Sequence, residues 1–223
     1  MASASVETAG GPTPGQLLLD CVAGHGSAVH PWPRNRDLAQ GPDAARNLSD
    51  LLHFVLTLHG RFPGVVDHAS ERSVEREARS WLAEAASAFA GERGYLARLA
   101  VAAGPVPSTP GAADSDTVVR AQRHAIEMLA RSERNGCALG AAMAVVLDWS
   151  HVRRVLDAAA LRFGVEPPPY RIADEARLAG LADGYAASPA VRRALLFGAE
   201  QILVQHFGLW DLLEARAQAR MSG

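Results

Sequence analysis

The fold class is decided by residues 188–220, which read SPAVRRALLFGAEQILVQHFGLWDLLEARAQAR. The stretch opens with Ser188 and Pro189, a hydroxyl at the helix N-cap followed by proline at the first helical position. Apolar residues then recur at intervals of three and four, which is the spacing of one buried helix face. The members of this face are Leu195, Ala199, Ile202, His206, Leu209 and Leu213. The stretch therefore predicts one long amphipathic helix that ends near Arg220.

The rest of the chain repeats the helical pattern and shows no strand-like alternation of useful length. Capping residues, glycines and prolines delimit three further long patterns. These patterns cover residues 43–59, 71–103 and 117–163, and a kink or restart is expected in the last at 148–150. We predict an all-α fold, an up-and-down bundle of four long helices with short accessory helices.

The beginning of the chain differs in composition from the predicted bundle. Residues 1–15 are small, polar and rich in Gly and Pro, which predicts a disordered tail. Residues 16–42 predict an irregular segment with a short helix, and residues 43–220 a single bundle domain. The tail lacks the pattern of a signal peptide, and the longest apolar run, 136–147, is too short to span a bilayer. We therefore expect a cytoplasmic protein with no membrane partner.

Composition and charge argue against several functional classes. The chain has 22 basic residues, all of them Arg, and 24 acidic residues, which give a formal charge of −2. Such a balance disfavours nucleic acid as a partner. The absence of Lys excludes Schiff-base chemistry and a phosphate-loop lysine. Two cysteines, Cys21 and Cys137, are too few for a disulfide framework or a cysteine-based zinc site.

Histidines and acids on the predicted helices form the candidate site. His206 lies within the apolar face of the last helix, and His59 lies within a similar face of the first. Glu200 flanks the face of the last helix without an oppositely charged neighbour, and an unpaired buried carboxylate is costly. His124 and Glu127 share one face of the third pattern because they are three residues apart. We predict these five residues as candidate ligands of Fe, Mn or Zn.

Each candidate also has a structural interpretation. A core histidine can be satisfied by one hydrogen bond, and the arginines around the third-helix pair would make it a salt-bridged surface. Two further acids, Asp50 and Asp148, each precede a histidine by three residues. We interpret Asp50 as part of an exposed polar stripe and Asp148 as a capping residue at the expected restart.

Long helices with inward His and Glu resemble ferritin-like and haem-oxygenase-like bundles over about residues 43–220. The H-x-x-E pair at 124–127 and the E…H stretch at 200–206 contribute to this resemblance. It implies a metal-dependent oxidase or oxygenase, although these families include members without metal. The Glu-x-x-His motif of di-iron bundles is absent from the sequence, which favours a mononuclear three-ligand site. The Arg-rich composition and residues 47–69 also resemble uncharacterised bacterial proteins of high-GC genomes.

Two hypotheses for the function follow, and they leave open whether the protein is an enzyme. The first is a metal-binding bundle, a non-haem oxidoreductase, with His59, Glu200 and His206 in its interior. The second is a non-catalytic module that forms a homodimer through the close-packing region at 136–144 and the last helix. A pocket for an apolar small-molecule ligand is a third interpretation that the sequence does not separate from these two.

Overall fold

A computed structural model describes residues 11–171 and 174–221, and it confirms the all-α prediction for these residues. The α-helices within these ranges are α1 (Pro14–Gly24), α2 (Arg36–Ala39), α3 (Ala44–His59), α4 (Val65–Arg72), α5 (Arg76–Ala103), α6 (Ala112–Ala130), α7 (Cys137–Phe163), α8 (Glu175–Tyr185) and α9 (Pro189–Met221). Short 3-10 turns at 26–28 and 32–34 connect α1 to α2. Among the described helices, none is both long and apolar enough to cross a bilayer.

The long helices differ in number and boundaries from the four that the sequence predicts. In the described ranges α3, α5, α6, α7 and α9 each exceed 15 residues, so the four-helix up-and-down arrangement is not confirmed. The pattern over 117–163 breaks at residues 131–136, whereas 148–150 lie inside α7. Gly136 has a φ of 98° at the start of α7, a left-handed conformation that favours glycine. The predicted restart at Asp148 is therefore wrong.

Helix α7 lies at the centre of the fold and packs against α9 at very short range. A Cβ atom added at Gly140 would lie 1.9 Å from the carbonyl oxygen of Leu195. A Cβ atom at Gly198 would lie 2.1 Å from the carbonyl oxygen of Cys137. The two backbones thus touch where each helix carries a glycine, as the sequence predicts for α7. Any larger side chain at these positions would force the helices apart.

The segment before the bundle packs onto it. Of the predicted tail 1–15, residues 1–10 lie outside the described residues, and α1 already begins at Pro14. The N–H group of Gly15 donates to Asp183 Oδ1 on α8 at 2.6 Å, and α1 also contacts α9. The 3-10 turns place Ser27 and Trp32 in the core. Residues 16–42 are therefore part of the packed structure and contribute polar and apolar groups to its interior.

Candidate functional site

A chain of hydrogen bonds joins three helices through the core. Asp148 Oδ2 on α7 lies 2.6 Å from His206 Nδ1 on α9. His206 Nε2 in turn lies 2.9 Å from His59 Nε2, at the last residue of α3. All three side chains are almost completely buried. Burying a polar group is costly unless it is hydrogen-bonded, so each of these side chains depends on its neighbour for a hydrogen-bond partner.

The carboxylate of Asp148 is held on its other side by the first 3-10 turn. The Ser27 N–H group donates to Asp148 Oδ1 at 3.0 Å, and the Ser27 hydroxyl donates to Oδ2 at 2.5 Å. The indole N–H group of Trp210 donates to Ser27 Oγ at 2.8 Å. Burial disfavours the charged carboxylate, but the hydrogen bonds from His206 and Ser27 outweigh it and lower the pKa of Asp148.

These contacts define where the protons lie. An ionised Asp148 accepts a hydrogen bond from His206 Nδ1–H, and the Nε2 atom of a neutral His206 can then accept a hydrogen bond from His59 Nε2–H. Burial, and to a smaller extent the neighbouring His206, lowers the pKa of His59 well below its ordinary value of 6.5. His59 is therefore neutral near pH 7, and its Nδ1 atom is the acceptor at the end of the chain.

His59 also lines a small cavity between α3, α4, α5 and α6. The cavity has a volume of about 30 Å³. Such a volume accommodates about two water molecules, or a group as small as a carboxylate. Its polar lining consists of His59, Arg61, His68, Arg93, Arg123 and Glu127. The acid–base chain thus ends at a confined space that is rich in guanidinium groups.

The side chains that line this cavity carry more guanidinium than carboxylate groups. Arg93 forms a two-pronged ion pair with Asp67, with N···O distances of 2.8 and 3.2 Å. Glu127 lies between Arg61 and Arg123, at 3.5 and 3.4 Å. The Arg123 Nε atom is buried and is the atom that lies 3.4 Å from Glu127 Oε1, a contact without hydrogen-bond geometry. Among the side chains that line the cavity there are three guanidinium groups and one carboxylate, and Asp67 and Glu71 contact Arg93 and His68 from outside the lining.

A buried ion pair supports the position of His59. Glu92 Oε1 on α5 accepts a hydrogen bond from Arg153 Nη1 on α7 at 2.6 Å. The Trp149 indole N–H group donates to Glu92 Oε2 at 2.9 Å. The Trp149 ring then meets the His59 ring edge-on, with 5.5 Å between their centroids. This contact restricts the rotation of the imidazole.

A second buried ion cluster lies where α3 meets the end of α9. Asp50 accepts two hydrogen bonds from Arg216, at 3.0 Å from Nε and 2.9 Å from Nη2. Arg220 Nη1 donates to the same carboxylate at 2.5 Å. The interpretation of Asp50 as an exposed residue is wrong, because two arginines from the last turns of α9 neutralise it in the interior.

The structure brings together some of the five predicted ligands but not all of them. His59 and His206 are in contact, and Glu127 lines the cavity next to His59. His124 and Glu200 are exposed. The predicted interior position of Glu200 is therefore wrong, whereas the exposure of His124 agrees with the interpretation of its helix face as a salt-bridged surface. Glu200 lies on the side of α9 opposite its buried face, where a charged group keeps its hydration.

The exposed positions of His124 and Glu200 leave fewer of the predicted ligands close enough to bind one metal ion. Within the part of the chain that the structure describes, no group of three or more His, Cys, Asp or Glu side chains could hold a metal ion. Protein metal sites for Zn use three or four such ligands. Binding of Fe, Mn or Zn stays a prediction, which elemental analysis of protein purified without chelator would test.

Two members of the buried hydrogen-bond network, Asp148 and Ser27, were not among the predicted ligands. Asp148 was interpreted as a cap, yet it lies buried inside α7. The only signal is that it is a lone acid after the apolar run AAMAVVL at 141–147. Ser27 carries no local signal at all, since its partner Asp148 is 121 residues away.

The lowered pKa of His59 predicts that stability decreases below about pH 6.5. The unfolded state takes up a proton on His59 near its ordinary pKa, whereas the folded state does so only at lower pH. The unfolded state therefore binds more protons between the two pKa values, and the free energy of unfolding falls by up to about 1.4 kcal/mol per pH unit. The contribution of His59 to stability is complete above its pKa in the unfolded state. It is lost as the pH falls to its pKa in the folded state.

Urea unfolding between about pH 5 and 8 would measure this slope for the wild type and for His59→Gln. The variant lacks the titrating imidazole, so the slope of its free energy of unfolding against pH should be smaller by up to about 1.4 kcal/mol per pH unit. His124→Gln, at an exposed position on α6, serves as the control and should keep the wild-type slope. Identical slopes for the wild type and His59→Gln would contradict the prediction.

Fold and site together define an all-α helical bundle with a buried Asp–His–His chain that ends at a cationic cavity. The protein belongs to a family of unknown function (DUF6975), whose model matches residues 22–221. This match includes every member of the hydrogen-bond chain. No curated protein and no solved structure matched the sequence. The comparisons show no link to ferritin-like or haem-oxygenase-like bundles.

Proposed function

We propose that this protein binds a small carboxylate at the cavity beside His59 and exchanges a proton with it. The observation that carries the proposal is the position of His59. Its Nε2 atom is engaged by the Asp148–His206 pair, while its ring borders a cavity lined by three guanidinium groups and one carboxylate. A neutral imidazole oriented by a carboxylate–histidine pair is suited to act as a general base.

The proton transfer balances within the chain of hydrogen bonds. His59 Nδ1 forms a bond to the proton of a C–H or O–H group on the ligand, and the electron pair of the broken bond stays on the ligand. Burial and His206 disfavour the positive charge that develops on His59, so the imidazole holds the proton only transiently before returning it to the ligand. The His59 Nε2–H group meanwhile stays directed at His206 Nε2, with the Asp148 carboxylate behind it. The negative charge that develops on the ligand faces the cationic lining of the cavity.

The binding half of the proposal rests on Arg123. Its buried Nε atom lies 3.4 Å from Glu127 Oε1, which is an ion-pair distance without hydrogen-bond geometry, and it has no hydrogen-bond acceptor among the described residues. A ligand carboxylate in the cavity would supply that acceptor. The remainder of the ligand would extend towards Arg61, the most exposed of the three arginines that line the cavity.

Proton exchange from carbon tests the proposal directly. The protein is incubated in D₂O with pyruvate, acetoacetate or malonate, and the loss of the α-proton signal is followed by ¹H NMR. We expect faster exchange than in buffer with at least one acid, and a decrease of at least about 100-fold for His59→Gln. Arg123→Gln should raise the acid concentration required for half-maximal exchange. His124→Gln should exchange protons at the wild-type rate.

The outcomes separate the two halves of the proposal. Saturable perturbation of the wild-type spectrum by an acid without exchange would support binding and overturn proton transfer. Neither exchange nor perturbation with any acid would overturn the whole proposal. The Asp–His–His chain would then be a structural network of the core, in keeping with a non-catalytic module.

A further inference from the structure

The exposed side of α9 carries three large apolar side chains. Phe197, Val204 and Phe207 are 41%, 50% and 37% exposed, respectively. Their spacings of seven and three residues place them on one side of the helix, opposite the buried face that contains His206. A row of apolar groups along one helix is a feature of interaction surfaces.

Charged residues extend this row at both ends in a symmetrical order. Arg193 precedes Phe197 by four residues, and Asp211 follows Phe207 by four. Arg193 forms no ion pair or side-chain hydrogen bond with another described residue. Asp211 contacts His30 at 3.1 Å, but its side chain is 63% exposed. The row, which we call the α9 stripe, consists of Arg193, Phe197, Glu200, Val204, Phe207 and Asp211.

We infer that the α9 stripe is a homodimer interface in which two copies of α9 pair antiparallel. The spacing along the stripe is 4-3-4-3-4, which is the same in both directions. Antiparallel pairing about residue 202 therefore sets Phe197 against the partner subunit's Phe207 and Arg193 against the partner subunit's Asp211. The interface is isologous, as expected for a two-fold dimer.

A groove beside the stripe favours a second copy as the occupant. This groove has a volume of about 520 Å³ and is lined by Ala190, Val191, Ala194, Phe197 and the side chains of Arg134 and Arg193. It lies at the position where the pairing brings the partner subunit's Phe207. The stripe spans about 27 Å at 1.5 Å per residue. One helix face is a small interface, so we expect a dimer in the micromolar range.

Sedimentation velocity over a range of about 1–200 μM tests this inference. We expect the mass to rise from that of the 23.6 kDa chain towards twice that value. Val204→Glu sets a carboxylate opposite the partner subunit's Glu200 on both sides of the axis, and should weaken association at least about tenfold. Leu161→Glu, at an exposed apolar position near the end of α7, is the matched control and should dimerise like the wild type.

Charge reversal tests the orientation of the two helices. Arg193→Asp and Asp211→Arg should each weaken the dimer, and the double variant should recover it because the pair is restored with opposite sign. A chain that stays monomeric over the whole range would overturn the inference. So would a Val204→Glu variant that dimerises like the wild type. The inference uses none of the residues around His59 and is independent of the proposed function.

Discussion

Replacing Asp148 with Ala is expected to lower the free energy of unfolding by about 3–5 kcal/mol. The substitution removes the only acceptor that the described residues offer to His206 Nδ1–H, and it removes the acceptor for both donors of Ser27. Buried donors without an acceptor lose their hydration without compensation. The missing carboxylate also leaves a cavity between α7 and α9.

Urea unfolding at pH 7.5 would measure this loss, with Asp116→Ala as the reference variant. Asp116 forms an ion pair with Arg120 at 2.7 Å on the exposed side of α6, where removal of the acid should cost at most about 0.5 kcal/mol. A similar decrease in the free energy of unfolding for the two variants would mean that water replaces the Asp148 carboxylate. The hydrogen-bond chain would then be open to water, which would contradict the prediction.

The second large effect is expected for Asp50→Ala, again about 3–5 kcal/mol. The variant leaves the guanidinium groups of Arg216 and Arg220 inside the protein without their carboxylate. Because α9 is anchored to α3 through this cluster, we also expect the last turns of α9 to exchange amide protons faster.

Asp43→Ala provides the matched control for this effect. Asp43 is three residues from Arg46 at the start of the same helix, and their 3.5 Å ion pair lies at the surface. Its loss should cost at most about 0.5 kcal/mol. Unfolding by urea, combined with hydrogen exchange over residues 210–221, would distinguish the two variants. A loss below about 1 kcal/mol for Asp50→Ala would contradict the expected burial cost.

The sequence predicts the buried faces of the helices well. The face of α9 that contains His206 is buried throughout, and most of the corresponding face of α3 is buried together with His59. A face that packs on the core must repeat every three to four residues, so it leaves a visible pattern. Phe62 continues the three-residue spacing from His59 but lies beyond the end of α3 and is exposed.

The polar contacts of the site could not be predicted in the same way. Asp50 and Asp148 are buried against partners that are distant in the sequence. Arg216 is 166 residues from Asp50, and Ser27 is 121 residues from Asp148. Local periodicity holds no information on such pairs, and an acid on a helix is usually on the surface. Glu200 was misplaced for the opposite reason, because its apolar neighbour Phe197 is itself exposed and belongs to the α9 stripe.

The backbone contact between α7 and α9 fixes the two helices that carry Asp148 and His206 against each other. No layer of side chains separates the helices at Gly140 and Gly198, so neither helix can slide without a clash of backbone atoms. Asp148 and His206 therefore belong to a rigid half of the molecule. The Asp148–His206 end of the hydrogen-bond chain is thus held by a pair of helices that cannot slide past each other.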